Sequence, residues 1–231
     1  MKKNILKLIL VIMMFFFGSL LIGNLLRLIG INPKVFDAKD INYIDCLVEL
    51  IYAIIIYLLY RNCFRIDFKE LKSGFKKYIS EILKYFALFM VIKIASALLT
   101  SVVGFALGVE IGESENQNII VSLTSSAPIM MLISAAFLAP IVEEGIFRLA
   151  FRKVINNKYL FMIISGLLFG FMHIFPTELP MSVALTYSIT YVTMGVYLAY
   201  VYVKTDNIWF SIIIHLLNNL ISMLAIIMMG W

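Results

Sequence analysis

Charge is what this sequence most lacks. Only 14% of its 231 residues are Asp, Glu, Lys or Arg, and 62% are hydrophobic; an ordinary soluble domain carries about 25% charge and 45–50% apolar residues. A soluble fold of this size leaves a large share of its residues at the surface and cannot hide so much apolar area. Disorder is excluded as well, because disordered chains are poor in aromatics and here they make up 14%. There are only two cysteines, Cys46 and Cys63. Seventeen residues of helix hold them roughly 25 Å apart at 1.5 Å rise per residue, far beyond disulfide reach, so they read as free thiols. A His-Glu-x-x-His run is absent, which removes the usual signature of soluble zinc proteases. No internal repeat is evident, and such a repeat is the mark of many transporters. What remains is an all-α, polytopic transmembrane helical bundle. It is expected to be one integral membrane domain over 1–231, since no soluble block is long enough for a second.

A span needs about 20 mostly apolar residues. Seven stretches qualify or come close: 8–26, 44–60, 82–106, 125–152, 159–175, 181–203 and 207–229, a count with an error of about one. The first stands behind Lys2, Lys3 and Lys7 and is too long for a signal peptide. The net charge of +5 would suit nucleic acid, but its distribution suits a membrane. Arg61, Arg65, Lys69, Lys72, Lys76 and Lys77 lie between spans two and three. Arg152, Lys153 and Lys158 follow span four, and Lys204 follows span six. The opposite loops hold Lys34 and Lys39 with Glu110, Glu113 and Glu115. By the positive-inside rule the N-terminus is cytoplasmic and the C-terminus outside. The segment 61–80 reads equally well as a basic amphipathic helix on the membrane surface or as a solvated loop. The expected partner is a lipid bilayer, not nucleic acid.

Ionisable groups in hydrocarbon cost about 2.5–3.5 kcal/mol each on insertion scales, so they persist when paired or functional. Asp45 and Glu49 stand in span two, and Lys84 and Lys93 in span three. Three further spans carry polar groups at helical spacing. In span four, Glu144 and Arg148 are four apart and can pair on one face. Glu143, about 100° round the helix, is left free to point elsewhere and to act as a base. In span five, Phe169 and His173 are one turn apart. In span seven, His215 and Asn219 share a face, so an imidazole and an amide can address one small molecule. Both histidines of the chain thus fall inside spans. If span four stays helical to about Lys153, then Glu143, His173 and His215 lie roughly 15, 21 and 12 Å from their inner helix ends. Tilt and side-chain reach can close such gaps; a break at Pro140 or Glu143 would open them. Interfacial glutamates, a packing histidine and a polar helix clamp are the alternatives for the three motifs taken singly.

Taken in order on separate spans, Glu143-Glu144-x-x-x-Arg148, Phe169-x-x-x-His173 and His215-x-x-x-Asn219 resemble the CAAX protease and bacteriocin-processing family of intramembrane endopeptidases. That family includes type II CAAX prenyl endopeptidases and bacterial members tied to bacteriocin self-immunity or peptide-signal maturation. The resemblance covers about residues 140–220, within an expected catalytic core at 125–229, and relatives usually have about eight helices. It implies that Glu143 activates a water, that His173 assists, and that His215 and Asn219 stabilise an oxyanion or hold water or metal. Glu144 and Arg148 would organise the site, and Phe147 and Phe169 would contact substrate. Peptide hydrolysis needs such a base, an oxyanion donor and an acid for the leaving amine. A divalent metal such as zinc, with Glu144, His173 and His215 as candidate ligands, and a metal-free glutamate mechanism are both open. The Lys-, Ile- and Asn-rich composition suggests an AT-rich prokaryotic genome, and with it a place in a bacterial cell membrane. It favours a bacteriocin, leader or signal-peptide precursor over a prenylated CAAX substrate. A proton-coupled transporter and a catalytically silent scaffold for a signalling or toxin partner are the competing readings.

Overall fold

The computed structural model describes residues 2–28, 30–32, 35–109, 112, 114–175 and 179–229. Lys34, Glu110 and Glu113 of the charge pattern lie outside the described residues, as does the side chain of Glu115. Among the described residues there is helix and connecting turn but no strand. The chain runs α1 (Lys2–Leu28), α2 (Ala38–Ser73), α3 (Phe75–Ala106), α4 (Glu115–Ser126), α5 (Pro128–Ala150), α6 (Lys158–Met172), α7 (Met181–Thr205) and α8 (Ile208–Met229). Five of these are long and apolar enough to cross a membrane, or six if the two arms of α1, bent by 58°, form one span. The expected fifth span, 159–175, is the fifteen-residue α6 and falls short of that length, so the expected seven exceeds the helices that qualify.

Local signals set the ends. Asp37 caps α2, accepting from the Asp40 amide at 2.8 Å while the Asp40 carboxylate accepts from the Asp37 amide at 3.4 Å, which closes a capping box. Asn157 opens α6 by accepting from the Leu160 amide at 3.0 Å. The basic segment 61–80 is neither a separate surface helix nor a loop. α2 continues through it to Ser73 past a non-helical residue at Tyr60 (φ −121°, ψ 18°), and Gly74 separates it from α3. That extension reaches the α7–α8 turn, where Asp206 adopts a left-handed conformation (φ 50°). There the Ile208 amide donates to Asp67 Oδ2 at 3.0 Å and the Trp209 indole to the Phe64 carbonyl at 3.0 Å. A carboxylate at the start of α8 also meets the positive end of the helix dipole.

α5 does not break at Pro140. Instead it widens: Leu132–Leu138 and Gly145–Ala150 are π-helical turns on either side of the α-turn Ala139–Glu144. The Ala139 amide donates to Ser134, five residues back. In that register the next carbonyl, Ala135, would receive from residue 140, and proline has no N–H to give. The side-chain amide of Asn219 fills the vacancy, donating to Ala135 at 2.9 Å. A buried carbonyl left without a donor is costly, so this bond fixes α8 against α5.

Small residues set the distance between α6 and α7. A Cβ at Gly166 or Gly170 would come within 2.8 Å of the backbone nitrogen of Val196 or Val192, and one at Gly195 within 3.0 Å of Gly166. Close approach through Gly-x-x-x-Gly needs no side-chain volume between the backbones. It brings Phe169 and His173 against α7. Long apolar side chains on the outer faces, Leu98, Leu20 and Phe105 among them, are exposed, as a lipid-facing surface requires.

Candidate active site

Glu144 and Arg148 form the expected one-turn pair, with Arg148 Nε 3.1 Å from Glu144 Oε2 and both side chains fully buried. Arg148 also donates through Nη2 to the Gly195 carbonyl at 3.2 Å and lies 4.6 Å over the ring of Phe169. The cation is therefore held from α5, α6 and α7 together. The other oxygen of Glu144 reaches α8: Oε1 is 2.9 Å from His215 Nδ1. An ionised carboxylate only accepts, so Nδ1 carries the hydrogen, and in the neutral imidazole Nε2 is the acceptor.

His173 is fixed in the same way, its Nδ1 donating to the Phe169 carbonyl at 2.8 Å. Its ring stacks on Tyr191 at 4.7 Å and leans on Phe169 at 4.5 Å. Phe169 also meets His215 edge-on at 5.7 Å. Glu143 points away from the Glu144–Arg148 pair, as expected from its position on the helix. Its Oε2 lies 3.9 Å from His215 Nε2, and that buried oxygen has no hydrogen-bond partner among the described residues. Two acceptors 3.9 Å apart can both take a hydrogen from one water at about 2.8 Å from each.

All of this opens on a cavity of about 330 Å³ that includes Glu143, Phe169, His173, His215 and Asn219 in its wall. The three motifs thus meet in one layer. Asn219 lines the cavity, but its amide is committed to Ala135 and its oxygen accepts from Asn218 Nδ2 at 2.9 Å. Phe147 is elsewhere. It is buried in the core, stacked on Phe151 and edge-on to Phe169 at 5.8 Å, and does not line the cavity.

Residues outside the motifs complete the wall. Glu49 of α2 accepts from Ser134 Oγ, and Lys93 of α3 donates to Asn218 Oδ1 at 2.8 Å. The signal for both was their charge inside an apolar span; nothing in the spacing told that they converge with the motifs. Of the metal candidates, Glu144 has both oxygens committed to Arg148 and His215. Among the described residues no group of three His, Cys, Asp or Glu side chains is placed to hold a metal ion, so the three candidates do not form a ready ligand set.

A helical bundle with carboxylate and imidazole groups around a sheltered cavity is a multi-pass membrane protein built for polar chemistry within its spans. Residues 125–221 match the family model described as "Type II CAAX prenyl endopeptidase Rce1-like". A Bacillus subtilis (strain 168) protein named "Putative membrane peptidase YdiL" is 28% identical over 183 residues, which is 78% of this chain and 67% of that protein. The Lactococcus lactis "UPF0177 protein YajF" is 43% identical over 61 residues, 24% of this chain and 30% of that protein. No solved structure matches. Over the segment 125–221 the chain is therefore similar to type II CAAX prenyl endopeptidases, and both this match and the Bacillus relative support a membrane protease at the level of the family.

Proposed function

We propose that the chain is an intramembrane endopeptidase that hydrolyses a peptide bond in a membrane-associated peptide or protein, with Glu143 as the base that activates water. The observation that carries this reading is the buried Oε2 of Glu143, without a hydrogen-bond partner among the described residues, beside His215 Nε2 in the cavity wall. Glu143 withdraws a proton from the water, the oxygen adds to the scissile carbonyl carbon, and the proton passes to the leaving amine as the C–N bond breaks. Glu144 holds His215 in the tautomer that keeps Nε2 toward Glu143, and Arg148 holds Glu144. His173, fixed through Nδ1, keeps its other ring nitrogen free to bond the substrate or the leaving group in the same cavity. The route needs no metal, and chelators are expected to leave turnover unchanged.

The N-terminus and the basic α2–α3 region are proposed to face the cytoplasm of a bacterial cell, where most of the Lys and Arg residues cluster. A leader, bacteriocin or signal-peptide precursor is the proposed substrate class. Purified protein in detergent, offered a panel of such peptides, tests the reading by mass spectrometry of the products. Glu143→Gln is expected to lower turnover by about 10²–10⁴-fold, the usual worth of a general base, and His173→Ala and His215→Ala to lower it strongly. Undiminished turnover in all three variants would overturn the assignment.

A further inference from the structure

Lys93 is a cation inside an apolar helix, half-buried, with its ammonium in the wall of the cavity that holds Glu143 and both histidines. Its bond to Asn218 Oδ1 uses one of three N–H groups on a neutral acceptor. Among the described residues no carboxylate lies within ion-pairing distance of it. Glu49, the other charged newcomer in the wall, is bonded to Ser134 instead. An intramembrane charge is normally paired or part of a binding path, and a cation left with two free donors in a cavity is complementary to an anion.

Asn218 ties this ammonium to the chemistry. Its Nδ2 donates to Asn219, and it stands three residues after His215, on the same side of α8. The wall also carries the apolar Phe89, Met194 and Met223 beside the polar Thr190, Tyr191 and Ser222, so it suits a peptide with apolar side chains, hydrogen-bonding backbone and one charged group at Lys93. We infer that Lys93 is a specificity-determining residue that binds a carboxylate of the peptide substrate, either its C-terminal carboxylate or the side chain of an Asp or Glu near the cut bond. This rests on the peptidase reading above. It locates substrate selection in α3, outside the matched segment 125–221.

The test reads binding without turnover. The Glu143→Gln chain in detergent is titrated, by fluorescence anisotropy, with one labelled apolar octapeptide in three forms: the free acid, the C-terminal amide, and the amide with a central Asp. At least one carboxylate-bearing form is expected to bind tenfold or more tightly than the plain amide. Preference for the free acid identifies the C-terminus as the source, and preference for the Asp peptide identifies the side chain. Lys93→Gln is expected to abolish the preference, and Lys93→Arg, which keeps the charge, to retain it. Equal binding of the three forms, no binding of any, or a preference that survives Lys93→Gln overturns the inference. So does a Lys93→Gln enzyme whose kcat falls while its KM for a cleaved acidic peptide is unchanged. If Lys93→Gln does not fold, the comparison of the three peptides on the Lys93 chain and on Lys93→Arg still decides. A preserved carboxylate preference in a protein that never cleaves would sink the peptidase reading and leave this one standing.

Discussion

The first three helices and the segment 125–221 are built on opposite terms. Half of the apolar stretch of α5 is buried inside the bundle, against 17% of that of α3. The interior of the later segment holds Glu144, Arg148, Ser165 and His215, each bonded to a neighbour from another helix. The earlier helices present apolar side chains outward and send two ionisable ones, Glu49 and Lys93, into the cavity. One region encloses a buried polar network, and the other is chiefly a wall facing lipid. Hydrogen bonds tie helices in both regions, as between α2 and the start of α8 and between Lys93 and Asn218; the contrast lies in how much of α5 and of α3 is buried.

That contrast can be broken at graded strength. The largest expected effect is at Arg148→Ala, which leaves Glu144 as an uncompensated buried charge and should cost about 3–5 kcal/mol, read by denaturation in detergent. A neutral result would mean the pair is not structural. Next, Glu144→Gln leaves Arg148 as the uncompensated buried charge and should also destabilise, and in whatever fraction stays folded turnover should fall by up to about 10⁴-fold, because the imidazole of His215 loses the carboxylate that fixes its tautomer. Gly170→Ala should follow at about 1–3 kcal/mol, the usual cost of overpacking, since the new Cβ would fall 2.8 Å from the Val192 nitrogen. Its unfolding midpoint measures this. The smallest effect belongs to the wall: Leu98→Ala, on a residue 63% exposed, should stay within about 0.5 kcal/mol. A loss there as large as at Gly170 would erase the distinction between the two regions.

Much of the bundle and of the site was legible in advance, and for local reasons. Apolar runs report spans because lipid demands them, and the four-residue spacing of Glu144 and Arg148 reports a shared helix face wherever it occurs. α4 was not legible, because Glu115–Ser126 is a polar twelve-residue stretch with no long apolar run to mark it. The widened turns of α5 were hidden too: their backbone register depends on what packs beside Pro140, and no residue pattern encodes it. The bond from Glu144 to His215 joins positions 71 apart and belongs to tertiary structure. Glu49 and Lys93 were visible as oddities, yet only the bundle says that they face the same space as the motifs.

The missing hydrogen of Pro140 has a consequence for anyone mutating this protein. Because Asn219 mends the gap it leaves at Ala135, removing that amide would cost a main-chain oxygen in the cavity wall its partner and loosen one helix from another. A dead Asn219 variant would therefore look like a lost catalyst when it had lost a splint. Only variants whose melting behaviour is unchanged can speak about chemistry at that position.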